Sequence, residues 1–421
     1  MAEPRLRALV VVAALVAVPA AALQWRCGPA GCDPPPTPAR VPFCGLPEET
    51  RRLIVAGYRA GRSPEVLGTT AAGSGVRTSS TPWPSMNDAV AVPLAFVGER
   101  IVGRRLPDGV TLDDVAPTLA RAAALDRPFP EVRSGTPIPG VLAPGAPARL
   151  LVIVAWKGIG AHGAGTRVDD LFPRGAATRR AGTGSVPLDP TAVLTTIGTG
   201  GVPAQHGVTG TLVRGEHGVT RAFGPDAPIP VIAGLAEDLD EATGQRARIA
   251  LVADAPDDRG LVGGDWYPGA DRDDVIVDDR HADATVRRLI AAGYGADEVP
   301  DLIAVSLEGP VGRLVKLTDA IVTAVGPRAI VAVAGTGDAA LPEATPGATV
   351  AAGVVADLGA PPTLIEGVAG DGLFLDPSVA AAADVGAARA ADALAAQAGP
   401  TGGPRFADAA PGFSVALAGY C

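Results

Sequence analysis

Aromatic residues are scarce in this 421-residue chain, with Phe, Trp and Tyr together making up only 4%. Large rings cannot dominate the interior, so Ala, Val, Gly and Leu must fill it, which suits helices packed closely on a parallel sheet. A basic surplus is also missing. The formal net charge is −10, which repels phosphate backbones and gains nothing from an anionic membrane surface, so nucleic acid is not an expected partner. Histidine and cysteine are few, four of each, and neither shows the spacing of a zinc ribbon. What is present is apolar residue, 47%, against 19% charged. That balance allows a sizeable core and argues against global disorder.

The N-terminus reads as an export signal. Arg5 and Arg7 precede an apolar run over residues 8–23, and Ala20, Ala21 and Ala22 follow Pro19 as a signal peptidase site requires. The run is short for a membrane span of about 20 residues, and the alternative is an uncleaved anchor. Residues 24–42, with Pro34, Pro35 and Pro36 in succession, read as a stiff tether. The even set of Cys27, Cys32, Cys44 and Cys421 in an exported chain favours disulfides. Cys27 with Cys32 closes a small loop, and Cys44 with Cys421 ties the start of the domain to the last residue; free thiols are the alternative.

Continuous apolar runs at residues 92–97, 150–155, 249–253, 302–307 and 329–334 have the character of buried parallel strands. Helical patterns lie between them, at 111–124, 230–238, 282–292, 313–325 and 379–396. The alternation predicts an α/β fold of three layers, a mostly parallel sheet with helices on both faces. Ligands in such sheets sit outside the carboxyl ends of the strands. Residues 134–148, rich in Pro and Gly, are either a domain boundary or a surface connection.

The loops after those strands carry a resemblance. Residues 195–208, TTIGTGGVPAQHGV, resemble the T-G-x-x-P-x-x-H-G-(I/V) signature of the type I phosphodiesterase/nucleotide pyrophosphatase branch of the alkaline phosphatase superfamily. Residues 300–306 and 330–338 resemble later strands of that family. Segments 57–67, 92–98 and 112–120 resemble its C-terminal part, yet they precede the first-strand motif here. The resemblance therefore implies a circularly permuted alkaline phosphatase-like domain over 43–421, in which 43–145 correspond to the family's C-terminal part and 149–421 to its N-terminal part. Permutation requires the original ends to lie close together, which the Cys44–Cys421 pairing fits.

The resemblance also implies two zinc ions held by Asp and His beside a Thr or Ser nucleophile, the metals binding phosphoryl oxygens and activating the attacking group. Lys157 stands where the first-strand Asp is expected. Leu188, after Pro187, stands where the nucleophile is expected, about twelve residues before Gly200, with Asp189 and Thr191 as neighbours able to substitute if the loop shifts. The loop after Ser306 offers Glu308 and no His, and the Asp-His-Gly motif keeps Asp338 alone. Residues 82–88, ahead of the 92–97 run, contain no His. His162 is a candidate group near the first-strand loop. His206 reads as structural, and His217 and His281 as exposed. A Lys157 ammonium facing Asp338, with Glu308 nearby, would offset the missing metal charge; the alternative is a solvated Lys157. The acidic span containing Asp265, Asp271, Asp273, Asp274, Asp278 and Asp279 reads as a solvated loop, because its spacing does not match an EF-hand.

The expectation is an exported alkaline phosphatase-like protein whose catalytic centre is degenerate. It would need no cofactor and would bind an envelope protein or a phosphorylated or glycan ligand, with membrane attachment only through an uncleaved N-terminal segment. The alternative is a divergent phosphoric ester hydrolase, acting on mono- or diesters with zinc and relocated groups such as Asp189, Thr191, His162 and Asp338.

Overall fold

A computed structural model describes residues 27–28, 31–32, 43–79, 81–85, 90–103, 105–161, 175–253, 255–263, 266–267, 274–277, 281–309, 311–338, 343–400 and 402–416. The chain clusters into two units, Met1–Ala39 and Arg40–Cys421. In the first, β1 (Cys27–Gly28) and β2 (Gly31–Cys32) pair antiparallel, with Cys27 opposite Cys32. The export segment expected at residues 1–23 lies outside the described residues. Among the described residues no helix is long and apolar enough to cross a membrane.

In the second unit β3 (Val66–Thr70) is followed by the short strands β4 (Val76–Thr78) and β5 (Thr81–Pro82). Then come β6 (Ala91–Val97), β7 (Leu150–Trp156) and β8 (Gly175–Gly182). A hairpin is made by β9 (Leu212–Gly215) and β10 (Gly218–Arg221). The next strands are β11 (Ile249–Ala253), β12 (Asp274–Val277), β13 (Asp301–Leu307) and β14 (Ala329–Gly335). The last are β15 (Thr345–Pro346), β16 (Ile365–Val368), β17 (Gly372–Leu375) and β18 (Phe406–Pro411). Seven of them form one sheet in the order β12-β11-β13-β7-β14-β6-β8. The pairings from β12 through to β14 are parallel, and β6 runs antiparallel to both β14 and β8. A smaller antiparallel sheet has the order β16-β17-β3-β18.

Period-two alternation divides the large sheet's side chains between two cores. Leu151, Ile153 and Ala155 face one way, with residues of the helices Val115–Ala122, Pro190–Thr199 and Leu235–Thr243. Leu150, Val152, Val154 and Trp156 face the other, with residues of the helices Ala282–Ala291 and Val311–Val325. The fold is therefore α/β, built on a large and mostly parallel sheet. Burial on both faces explains why these strands read as unbroken apolar runs.

Three expected helices have different bounds. The pattern at 111–124 opens as a 3-10 turn over Leu112–Asp114 before becoming an α-helix. The helix expected at 230–238 spans Leu235–Thr243 instead. The Val231 amide donates to the His206 carbonyl at 2.8 Å, so this stretch is tied to a neighbour before the helix begins. The Glu237 carboxylate then accepts the Gly234 N–H at 2.5 Å, an N-terminal cap. The pattern at 379–396 is two helices, Pro377–Ala382 and Ala387–Ala395, separated where Asp384 turns to φ 53°. The Pro/Gly-rich stretch 134–148 is laid along the domain rather than looped away from it: Ile138 and Val141 are buried, and the Ile138 amide donates to Thr118 Oγ1 at 2.9 Å.

Two backbones meet closely beside the large sheet. A Cβ added at Gly198 would lie 2.4 Å from the Gly260 carbonyl oxygen and 2.7 Å from that of Leu261. In an open helix Ala is favoured over Gly by about 1 kcal/mol. Here the sign reverses, and Gly198→Ala should destabilise the protein by about 1–3 kcal/mol through overpacking. The urea midpoint checks this, and an unchanged or raised midpoint contradicts the close approach.

Candidate functional site

Parallel pairing brings the ends of β13, β7 and β14 to one edge. Leu307 is level with Trp156, and Gly335 is level with Trp156 from the other side. Backbone bonds continue past the strands: the Lys157 amide donates to the Leu307 carbonyl at 2.9 Å, and the Thr336 amide to the Trp156 carbonyl at 3.2 Å. Lys157 and Asp338 therefore arise from adjacent strand ends, as expected from the sequence.

Their side chains take separate partners. The Lys157 ammonium lies 3.1 Å from Asp258 Oδ1 and 3.4 Å from Oδ2. Asp338 Oδ1 accepts the Gly160 amide at 2.9 Å. The expected pairing of Lys157 with Asp338 is thus corrected to Asp258, and the solvated alternative fails as well, since the lysine side chain is only 12% exposed and that of Asp258 3%. Glu308 is exposed beyond β13, and its carbonyl accepts from Arg313 at 3.4 Å. The carboxylate that reaches the ammonium comes instead from the neighbour of β13 in the sheet.

Asp258 is positioned by the 3-10 turn Pro256–Leu261 that follows β11. Proline opens the turn, where its missing N–H costs nothing. Asp258 Oδ2 accepts the Ala255 amide at 3.2 Å, so one carboxylate caps the turn and faces the ammonium. The opposite side of the turn is fixed by close packing, since a Cβ at Gly260 would lie 2.3 Å from Thr195 Oγ1. The string Ala255-Pro256-Asp257-Asp258 carries a readable helix-start signal, which sequence reasoning passed over because the family pattern assigns nothing there.

Leu188 joins the same edge. A Cβ at Gly337 would come within 2.4 Å of Leu188 Cδ1, and Gly337 has φ 110°, a conformation L side chains rarely adopt. Leu188 thus sits against the residue before Asp338. Asp189 is the N-cap of the helix Pro190–Thr199. Its Oδ1 accepts the Thr191 amide and the Thr211 hydroxyl, both at 3.0 Å, and burial pushes its carboxyl up from the ordinary value. Thr191 is buried, with its Oγ1 3.1 Å from Thr211 Oγ1. His162 lies outside the described residues, as do Asp265, Asp271, Asp273, Asp278 and Asp279; Asp274 accepts the Tyr294 hydroxyl at 2.9 Å.

His206 is fully buried. Its Nδ1 accepts the Val208 amide at 3.1 Å, so the neutral ring carries its proton on Nε2, which faces Thr196 Oγ1 at 3.1 Å. Burial, with the nearby charge of Arg59, holds its pKa down to about 3. It is structural, as the sequence suggests. His217 and His281 are both exposed.

Two of the described residues at the strand ends, Lys157 and Leu188, are poor company for zinc. An ammonium repels a cation, and a leucine has no ligating atom. Among the described residues no group of three or more His, Cys, Asp or Glu is placed to hold a metal ion. No family model, no curated protein and no solved structure matches the chain.

Removing the lysine head group takes the cation at 3.1 Å away from a buried carboxylate. Lys157→Met is expected to cost about 3 kcal/mol of stability, read by chemical denaturation. Combining it with Asp258→Asn, which retains an acceptor for the Ala255 amide, should restore much of that loss. If the double variant is as unstable as the sum of the singles, the two residues are not coupled.

Proposed function

We propose that this chain is an exported, circularly permuted alkaline phosphatase-like protein that has lost phosphoryl-transfer chemistry and serves as a binding or scaffold protein of the cell envelope. The observation carrying the reading is the Lys157–Asp258 ion pair at the tip of β7. At that place the family's chemistry needs a metal-binding acid, and a lysine neutralised by another part of the chain supplies fixed protein charge instead. Leu188 against Gly337 extends the same substitution to the nucleophile position.

Packing supports the permuted order. Arg59 donates to the Ala204 carbonyl at 2.6 Å, joining segment 57–67 to the signature turn. The Val186 amide donates to the Leu53 carbonyl at 3.2 Å, and β6 is hydrogen-bonded between β14 and β8. Residues expected to be the family's C-terminal part are thus neighbours of its N-terminal part. Cys44 is disulfide-bonded. Cys421, the proposed partner, lies outside the described residues, and the pairing remains part of this proposal.

The hydrolase alternative is less favoured because its groups are already engaged. Asp189 caps a helix and Thr191 is buried against Thr211. Two measurements on the purified protein test the choice. Elemental analysis is expected to find no stoichiometric zinc, and bis-p-nitrophenyl phosphate is expected to be hydrolysed no faster than in blank buffer. Two zinc ions per chain, with turnover abolished in Asp338→Ala, would establish the hydrolase instead.

A further inference from the structure

Between the signature turn and the helix Leu235–Thr243 the chain puts out the hairpin β9–β10, whose strands are joined through the exposed Glu216 and His217. Within Leu212–Gly215 and Gly218–Arg221 only Val213 is buried. Val213 packs with Val208 and Ala222, with Phe223 alongside, in a small cluster separate from the two cores of the large sheet. Where Val219 and Leu212 lean on β16 they meet Gly367, whose added Cβ would lie 3.1 Å from Val219 Cγ1 and 3.5 Å from Leu212 Cδ1. Little apolar packing thus holds the hairpin down, which is the mark of a segment able to open by itself.

Polar groups hold it instead, and they converge on one arginine. The Arg214 side chain is only 13% exposed. Its Nε and Nη2 donate to the two oxygens of Glu65 at 3.1 and 2.8 Å, and its Nη1 donates to Glu366 Oε2 at 2.5 Å. Nη2 also donates to the Leu375 carbonyl at 2.8 Å, and the guanidinium carbon lies 5.4 Å from the centre of the Phe374 ring. Glu65 leads into β3, Glu366 lies in β16, and Phe374 and Leu375 lie in β17, so these partners all come from the small sheet. Glu65 is held in place independently, because its Oε2 accepts the Leu375 amide at 2.9 Å. Two carboxylates, a carbonyl and an aromatic face are the groups that recognise a planar guanidinium. Two further bonds fix the hairpin: the Val219 amide donates to Glu366 Oε1 at 2.7 Å, and the Arg214 amide to the Arg62 carbonyl at 2.9 Å.

We propose that β9–β10 is a flap latched by Arg214, which fills a guanidinium-binding notch on the small sheet, and that emptying the notch frees the flap while both cores of the large sheet stay folded. With the guanidinium gone, Glu65 and Glu366 lose the cation they share, and the amide bonds to Glu366 and Arg62 are left to hold the hairpin. The base of the flap stands at the strand-end edge. The Thr211 hydroxyl donates to Asp189 Oδ1 at 3.0 Å, and Arg221 donates to Asp257, the neighbour of Asp258. A freed flap therefore moves beside the Lys157–Asp258 pair.

Amide hydrogen exchange of the full chain tests the latch. In Arg214→Ala, exchange over residues 212–221 is expected to quicken about tenfold, the change that losing one charge-assisted bond brings, while residues 150–156 and 301–307 stay unchanged. Millimolar ethylguanidinium chloride should slow the hairpin of that variant again, by refilling the notch. Sodium chloride at the same ionic strength should not, and neither salt should alter the natural protein. Glu366→Gln, which keeps an acceptor for the Val219 amide, should quicken the same residues and serves as the test if Arg214→Ala does not fold. Unchanged exchange in the hairpin, an equal rise in the large-sheet strands, or no response of Arg214→Ala to ethylguanidinium overturns the proposal, whatever the zinc and hydrolysis results.

Discussion

A lysine ammonium at the tip of the central strand must be neutralised, and much of the local architecture meets that requirement. β7 lies between β13 and β14 with parallel register on both sides, so its end cannot be withdrawn toward solvent without breaking the bonds from Lys157 to Leu307 and from Thr336 to Trp156. Desolvating such a charge costs several kcal/mol, and a carboxylate about 3 Å away returns about 5 kcal/mol at an effective dielectric near 20. The pair is balanced only while its geometry holds. The turn Pro256–Leu261 must therefore be immobile, and its glycine approach to the helix Pro190–Thr199 makes it so.

Three strand-end loops meet at this edge. In a dinuclear centre, cations draw carboxylates from several strand ends to one point. Here the loop after β7 carries the cation, and the loop after β11 brings the acid. In the loop after β14, Asp338 accepts the Gly160 amide. The edge keeps convergent strand ends, but polar groups of the protein satisfy one another.

The sheet was legible because burial on both faces turns strands into unbroken apolar runs, and the runs at 92–97, 150–155, 249–253, 302–307 and 329–334 fall within observed strands. β8 was not legible. Its Thr178, Arg179 and Arg180 break the apolar pattern, and its place at the sheet edge lets them remain at least partly exposed. The four-residue strands β16 and β17 offer too short a stretch for periodicity to register. Within the site, register puts Lys157 and Asp338 at adjacent strand ends, whereas Leu188 was singled out only through the family resemblance. The partner of Lys157 was not legible, because Asp258 is 101 residues away and is delivered by sheet order, which no local pattern encodes.

The most specific motif in the chain is a packing device. His206 uses Nδ1 to hold the turn at Val208 and Nε2 to reach Thr196, while the Arg59 guanidinium binds the carbonyls beside it. Protonating the ring would remove the acceptor that the Val208 amide needs, so the fold keeps it neutral and is weakened as pH falls below the ordinary histidine value. The geometry of this turn is thus accounted for by the hydrogen bonds of its histidine to Val208 and Thr196.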